Sequence, residues 1–139
     1  MNSFLKHVLG IGLLMMSETS AASAASSILF ETSQGQVEVK LLPDIAPNHV
    51  ARISQLVSEG FYDGIVFHRV IPGFMAQSGD PTGTGMGGSG VKLDAEFSDY
   101  EYRYGTVGMA RSMSPNSADS QFFICFDGCS HLTGQYTVW

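Results

Sequence analysis

Hydrophobic and polar positions alternate with a period of two along SILFETSQGQVEVKLL, residues 27–42. Ile28 and Phe30 alternate with Leu29 and Glu31, and Val37, Val39 and Leu41 with Glu38 and Lys40, on either side of Ser33-Gln34-Gly35. That pattern predicts a β-hairpin with one buried face. Pro43 closes it, and the period then changes. After Ala46-Pro47-Asn48, the apolar residues Val50, Ile53, Leu56 and Val57 recur at helical spacing, with Gly60 placed to end the helix. Beyond it, apolar runs broken by glycine at 65–71, 74–79, 105–110 and 120–126 predict short strands, and 136–139 begins another. Loops rich in Gly, Ser and Asp at 80–92 and 111–119 separate them. Many short strands around one helix make the chain mainly β, a small sandwich or a closed barrel.

The first 25 residues follow neither period. A start carrying Lys6 leads into VLGIGLLMM, apolar on every face, and then into the small residues SETSAASAA. The run is too short to cross a bilayer, which takes about 20 residues. It matches a secretory signal, with Ala22-Ser23-Ala24 or Ser23-Ala24-Ala25 as the cleavage site. The expected organisation is a signal peptide over 1–24 and one domain over 25–139, periplasmic or secreted and free of the membrane after cleavage.

Composition narrows the function. The net charge of −6 argues against a nucleic-acid partner. Residues 83–88, GTGMGG, contain the letters of a dinucleotide-binding loop, but SGVKLDAEF follows with no helical period. A structural loop is the better reading. His49, His68 and His131 lack metal-like spacing, and His68 within an apolar run reads as a hydrogen-bonded structural histidine. Cys125 in FFICF is most simply a buried free thiol; pairing with Cys129 would need a sharp turn at Asp127-Gly128. No metal or cofactor is expected.

The stretch FHRVIPGFMAQSGDPTGTG, residues 67–85, sets a guanidinium, an amide and two large apolar side chains on two short β segments joined by Pro72-Gly73. Together with MARSMSPNSADSQFFICF, FYDGIVFHRV, the AP-x-x-V helix start and LTGQYTVW, it resembles the cyclophilin family of peptidyl-prolyl cis-trans isomerases, in its bacterial branch. The likeness runs from about Ile28 to Trp139. It implies a closed antiparallel β-barrel of eight strands with capping helices. Measured against that fold the chain is C-terminally incomplete, the last two strands and the second helix being absent, so the barrel is expected not to close.

The resemblance also implies roles. Arg69 would be the catalytic residue, and Phe74, Met75, Phe123 and Leu132 would line a proline pocket. Gln77 and Gln121 would hold the substrate backbone or the arginine. Ala110 and Arg111 would meet the peptide just before the proline. His131 stands where cyclosporin-sensitive members have Trp, and Tyr136 where many have His, so weak cyclosporin binding is expected. The implied partners are proline-containing peptides and unfolded exported proteins, for which the protein would be a folding helper. Two alternatives are a proline-recognising binding module and an inactive truncated fragment.

Overall fold

The hairpin forms strands β1 (Ser27–Thr32) and β2 (Gly35–Lys40), antiparallel with Ile28 opposite Val39, in a computed structural model that describes residues 26–139. The signal-peptide reading therefore lies outside the described residues. Ile28, Val39 and Leu41 are buried as the alternation requires. Val37 is not: it is 38% exposed, because among the described residues β2 pairs only with β1 and its turn end borders an open groove.

Helix α1 (Pro47–Ser58) buries Val50, Ile53 and Leu56. Val57, expected on that face, is 36% exposed, and His49 is buried instead. A buried imidazole needs a partner. The Nε2–H of His49 donates to the Asp94 carbonyl at 2.8 Å, while its Nδ1 has no partner among the described residues. The helix starts without a cap from its own sequence, since Ala46 offers no side-chain acceptor. Glu96 supplies one from the opposite segment, its carboxylate accepting the N–H of Asn48 at 2.9 Å and of His49 at 3.3 Å. At the other end Phe61 N–H donates to Leu56 and Gly60 N–H to Val57, a Schellman closure.

The remaining strands are β3 (Arg69–Ile71), β4 (Met75–Ser78), β5 (Val107–Met109) and β6 (Phe122–Cys125). They form one antiparallel sheet in the order β3-β4-β6-β5. The hairpin is a separate two-stranded sheet, so the described residues do not close a barrel. The run predicted from residue 65 becomes strand only at Arg69, which corrects the reading of His68. That histidine lies ahead of the strand, and its buried Nδ1 has no hydrogen-bond partner. Residues 136–139 run beside β5, bridged at Gly108 and Val138.

Strand β6 explains the two cores. Phe122 and Ile124 point toward α1 and the hairpin, packing with Val50, Ile53 and Trp139. Phe123 and Cys125 point the other way, toward Met75, Tyr102 and Leu132. A continuous apolar run is what a strand buried on both faces requires. Cys125 is bonded to Cys129, which corrects the free-thiol reading. The chain turns back at Asp127-Gly128, with Gly128 at φ +76°, and brings the two Cα atoms to 6.2 Å. No helix among the described residues is long and apolar enough to cross a membrane.

Candidate active site

Sheet register builds the site. Arg69 lies opposite Gln77, Gln77 opposite Phe123, and Phe123 opposite Gly108, so one row crosses all four strands. Two residues along each of β3, β4 and β6, the next row is Ile71, Met75 and Cys125. Side chains two apart on a strand share a face. The sheet therefore presents a guanidinium, an amide and apolar groups to one side.

That side opens into a cavity of about 410 Å³. Its floor and apolar walls are Met75, Phe123, Phe74 and Leu132, and Arg69 and Gln77 line the same space. Ala110, Arg111, His131 and Tyr136 complete the wall, together with Gln135. A short 3-10 helix, Ser130–Leu132, presents His131 and Leu132. The His131 ring stacks on Phe74 with centroids 5.6 Å apart. Tyr136 meets Phe123 edge-to-face at 5.6 Å.

Arg69 is held by a relay of amides. Its Nη1 donates to Gln77 Oε1 at 3.3 Å, and Gln77 Nε2 donates to Gln121 Oε1 at 2.9 Å. Gln121 Nε2 in turn donates to the carbonyls of Gly85 and Gly87, at 3.0 and 2.8 Å. Among the described residues Arg69 has no carboxylate partner, and its Nε and Nη2 make no hydrogen bond. A guanidinium so placed remains a donor toward whatever enters the cavity.

The relay ends on the Gly-rich loop, and that loop is anchored by the buried Asp80. Its carboxylate accepts the N–H groups of Thr82 at 2.7 Å, Thr84 at 3.1 Å and Gly85 at 2.6 Å, plus the Thr82 hydroxyl at 2.8 Å. Burial alone would raise the Asp80 pKa, but the bonds from Thr82, Gly85 and their neighbours outweigh it and hold the carboxyl well below the usual range. In a phosphate-binding loop such amides face a ligand anion. Here the protein's own carboxylate takes them, and no helix follows, so the loop is structural.

A family model described as cyclophilin type peptidyl-prolyl cis-trans isomerase matches residues 27–139. The chain belongs to this family. It is 51% identical over 131 aligned residues to a probable peptidyl-prolyl cis-trans isomerase of Brucella suis, covering 86% of this chain and 67% of that protein. It is 45% identical over 111 residues to the peptidyl-prolyl cis-trans isomerase of Synechococcus elongatus, covering 80% and 76%. In three dimensions it resembles a Cryptosporidium parvum cyclophilin crystallised in the presence of the dipeptide Ala-Pro. The TM-score is 0.76 at 34% identity, with 81% of this chain and 75% of that one covered. The chain is a cyclophilin-type peptidyl-prolyl isomerase.

Against the cyclophilin expectations, ten of the eleven named residues line the cavity. The exception, Gln121, stands behind it, because its amide is shared between Gln77 and the loop carbonyls. Arg111 is braced rather than free. Its Nε donates to the Gln135 carbonyl at 2.9 Å, and its guanidinium lies over Tyr136, 4.8 Å from the ring centroid. Gln135 lies within LTGQYTVW, where the resemblance implies no role for it; it enters the wall beside Tyr136, where its carbonyl accepts from Arg111. Tyr102 was also unanticipated. It is buried, stacks on Phe123 at 5.6 Å and donates its hydroxyl to the Tyr136 carbonyl at 3.0 Å. Burial pushes its pKa up, so it stays a donor supporting the pocket floor.

Proposed function

We propose that this isomerase accelerates rotation about X-Pro bonds of exported proteins, with Arg69 as the group that acts at the prolyl nitrogen. Amide rotation meets a barrier of about 18–20 kcal/mol because the nitrogen lone pair is shared with the carbonyl. In X-Pro both isomers are populated, and exchange takes tens to hundreds of seconds. No bond is made or broken, so the task is to bind the twisted state better than the planar ones. As the bond twists, the nitrogen becomes pyramidal and its lone pair localises. A guanidinium donor at that point stabilises the twisted state most.

The observation that carries this reading is an Arg69 guanidinium tethered by Gln77 beside an apolar cavity of about 410 Å³. Phe74, Met75, Phe123 and Leu132 would grip the pyrrolidine ring and exclude water, which strengthens a hydrogen bond made inside. Gln77 would set the guanidinium plane, and Gln121 would support it from behind. Ala110, Arg111, His131 and Tyr136 would bound the peptide on either side of the proline. His131 lacks the indole donor found in cyclosporin-sensitive members, so cyclosporin should bind weakly.

Two features support an exported client. Residues 1–24 have the composition of a removable signal, and the Cys125–Cys129 disulfide suits an oxidising compartment. The test of the chemistry is Arg69→Ala, which should retain the thermal transition but lose more than about tenfold in kcat/KM on an Ala-Pro peptide, a barrier change of about 1.4 kcal/mol. An unchanged kcat/KM would remove Arg69 from the mechanism. The test of destination is fractionation of cells expressing the full chain: recovery of a shortened form outside the cytoplasm supports export, and full-length cytoplasmic protein contradicts it.

A further inference from the structure

We infer that the Cys125–Cys129 disulfide is a positioning element of the proline pocket, so that substrate affinity depends on its oxidation state. The inference rests on the pocket assigned above. Cys125 lies on β6 directly opposite Met75 and two residues beyond Phe123, both of which line the cavity. Cys129 is the residue that begins the 3-10 helix carrying His131 and Leu132. The bond therefore joins the rigid floor of the pocket to its outer wall.

Few backbone bonds tie that wall to the sheet. Phe126 N–H donates to the Phe74 carbonyl at 2.8 Å, but from residue 127 to 132 the backbone bonds found among the described residues stay within the turn itself. They are Leu132 N–H to the Cys129 carbonyl, Thr133 N–H to the Ser130 carbonyl and Gln135 N–H to the Leu132 carbonyl, at 2.9, 3.2 and 3.0 Å; just beyond, Thr133 Oγ1 accepts the Tyr102 N–H at 3.1 Å. His131 is exposed and touches the body of the protein through its stack on Phe74. Cys129 and Leu132 are the wall's fixed points, both buried with Cys125 in the core beneath, and Cys129 is the one bonded covalently.

Reduction would release the covalent anchor without altering Arg69. A dithiol donates two electrons and two protons: the Sγ–Sγ bond breaks, Cys125 and Cys129 become thiols, and the reductant closes to its own disulfide. The start of the 3-10 helix would then be held by packing alone, and fixing it on binding would cost affinity. Arg69, Gln77 and Gln121 sit on the other side of the cavity and keep their relay, so the effect falls on KM rather than kcat.

The experiment measures kcat and KM for an Ala-Pro peptide with oxidised protein, with protein reduced by a dithiol until two thiols are counted, and with reoxidised protein. KM should rise about fivefold on reduction, return on reoxidation, and change more than kcat. Cys129→Ser should show the raised KM from the start and no response to the dithiol. Circular dichroism of the reduced protein checks that the fold persists, since global unfolding would overturn a local positioning role. Equal KM in the two redox forms overturns the inference and leaves the isomerase reading intact. Oxidised protein whose rate does not depend on Arg69 overturns the pocket assignment and this inference with it.

Discussion

Gly108 shows how a single atom constrains the site. It is the last residue of the row Arg69–Gln77–Phe123, and a Cβ built there would collide with the Tyr102 hydroxyl and come within 2.8 Å of the Phe123 ring. The glycine is therefore a space, filled by the tyrosine that supports the pocket floor. Gly108→Ala should destabilise by about 1–3 kcal/mol through overpacking and weaken substrate binding as Phe123 is displaced. Chemical denaturation with a parallel KM measurement checks it; a variant matching the wild type in both would show that Tyr102 has another place to go. Asp80 acts from further away, through the loop that receives Gln121. Its folded pKa is depressed, so its stabilisation is present above the unfolded carboxylate value of about 4 and is lost as pH falls from there toward the folded value. Asp80→Asn should melt earlier than wild type at neutral pH, and the gap should narrow below about pH 4. A gap that widened on acidification would contradict this sign.

At the scale of elements, helix α1 depends on a partner distant in the chain. Asn48 and His49 donate to Glu96, which is itself held by Thr137 through its own N–H at 2.9 Å. Glu96→Ala should cost about 1 kcal/mol, as loss of an N-terminal cap does, read as a shift in the denaturation midpoint. A midpoint equal to wild type would mean that solvent replaces the carboxylate without cost. Glu96 also shows which parts of the fold are legible in sequence. Val50, Ile53 and Leu56 announce the helix because their spacing is local, and FFIC announces β6 because a strand buried on both faces leaves no polar gaps. Glu96 looks like any acidic loop residue, since its role comes from a segment 48 residues away. The same holds for Gln135, which is placed by its packing against Arg111, whereas the Cys125–Cys129 pairing hangs on whether the chain turns at Asp127-Gly128. The site residues on β3, β4 and β6 could be named because their motif resembles a family; neither that motif nor the spacing in the sequence showed that Gln121 stands behind Gln77 rather than in the wall.

Over the whole molecule, size alone does not mark the site. Two other grooves, of about 940 and 830 Å³, flank the hairpin and exceed the pocket at Arg69. The larger is lined by Lys40 and Arg103, but its one guanidinium, Arg103, donates twice to Glu101, at 3.0 and 2.6 Å, and is paired there. The other has no basic side chain in its lining. Of these three, only the smaller cavity combines packed apolar walls with a guanidinium tethered by an amide, which is the combination a twisted prolyl bond needs. The most direct test is NMR exchange spectroscopy on an Ala-Pro peptide with a small amount of protein. Uncatalysed rotation is too slow to give exchange cross-peaks within a mixing time of about a second. The wild type should produce strong cross-peaks between the cis and trans signals, and Arg69→Ala should nearly abolish them while still shifting the peptide resonances. Peptide binding by the wild type without cross-peaks would contradict the account and make this pocket a recognition site for proline rather than a catalyst of its rotation.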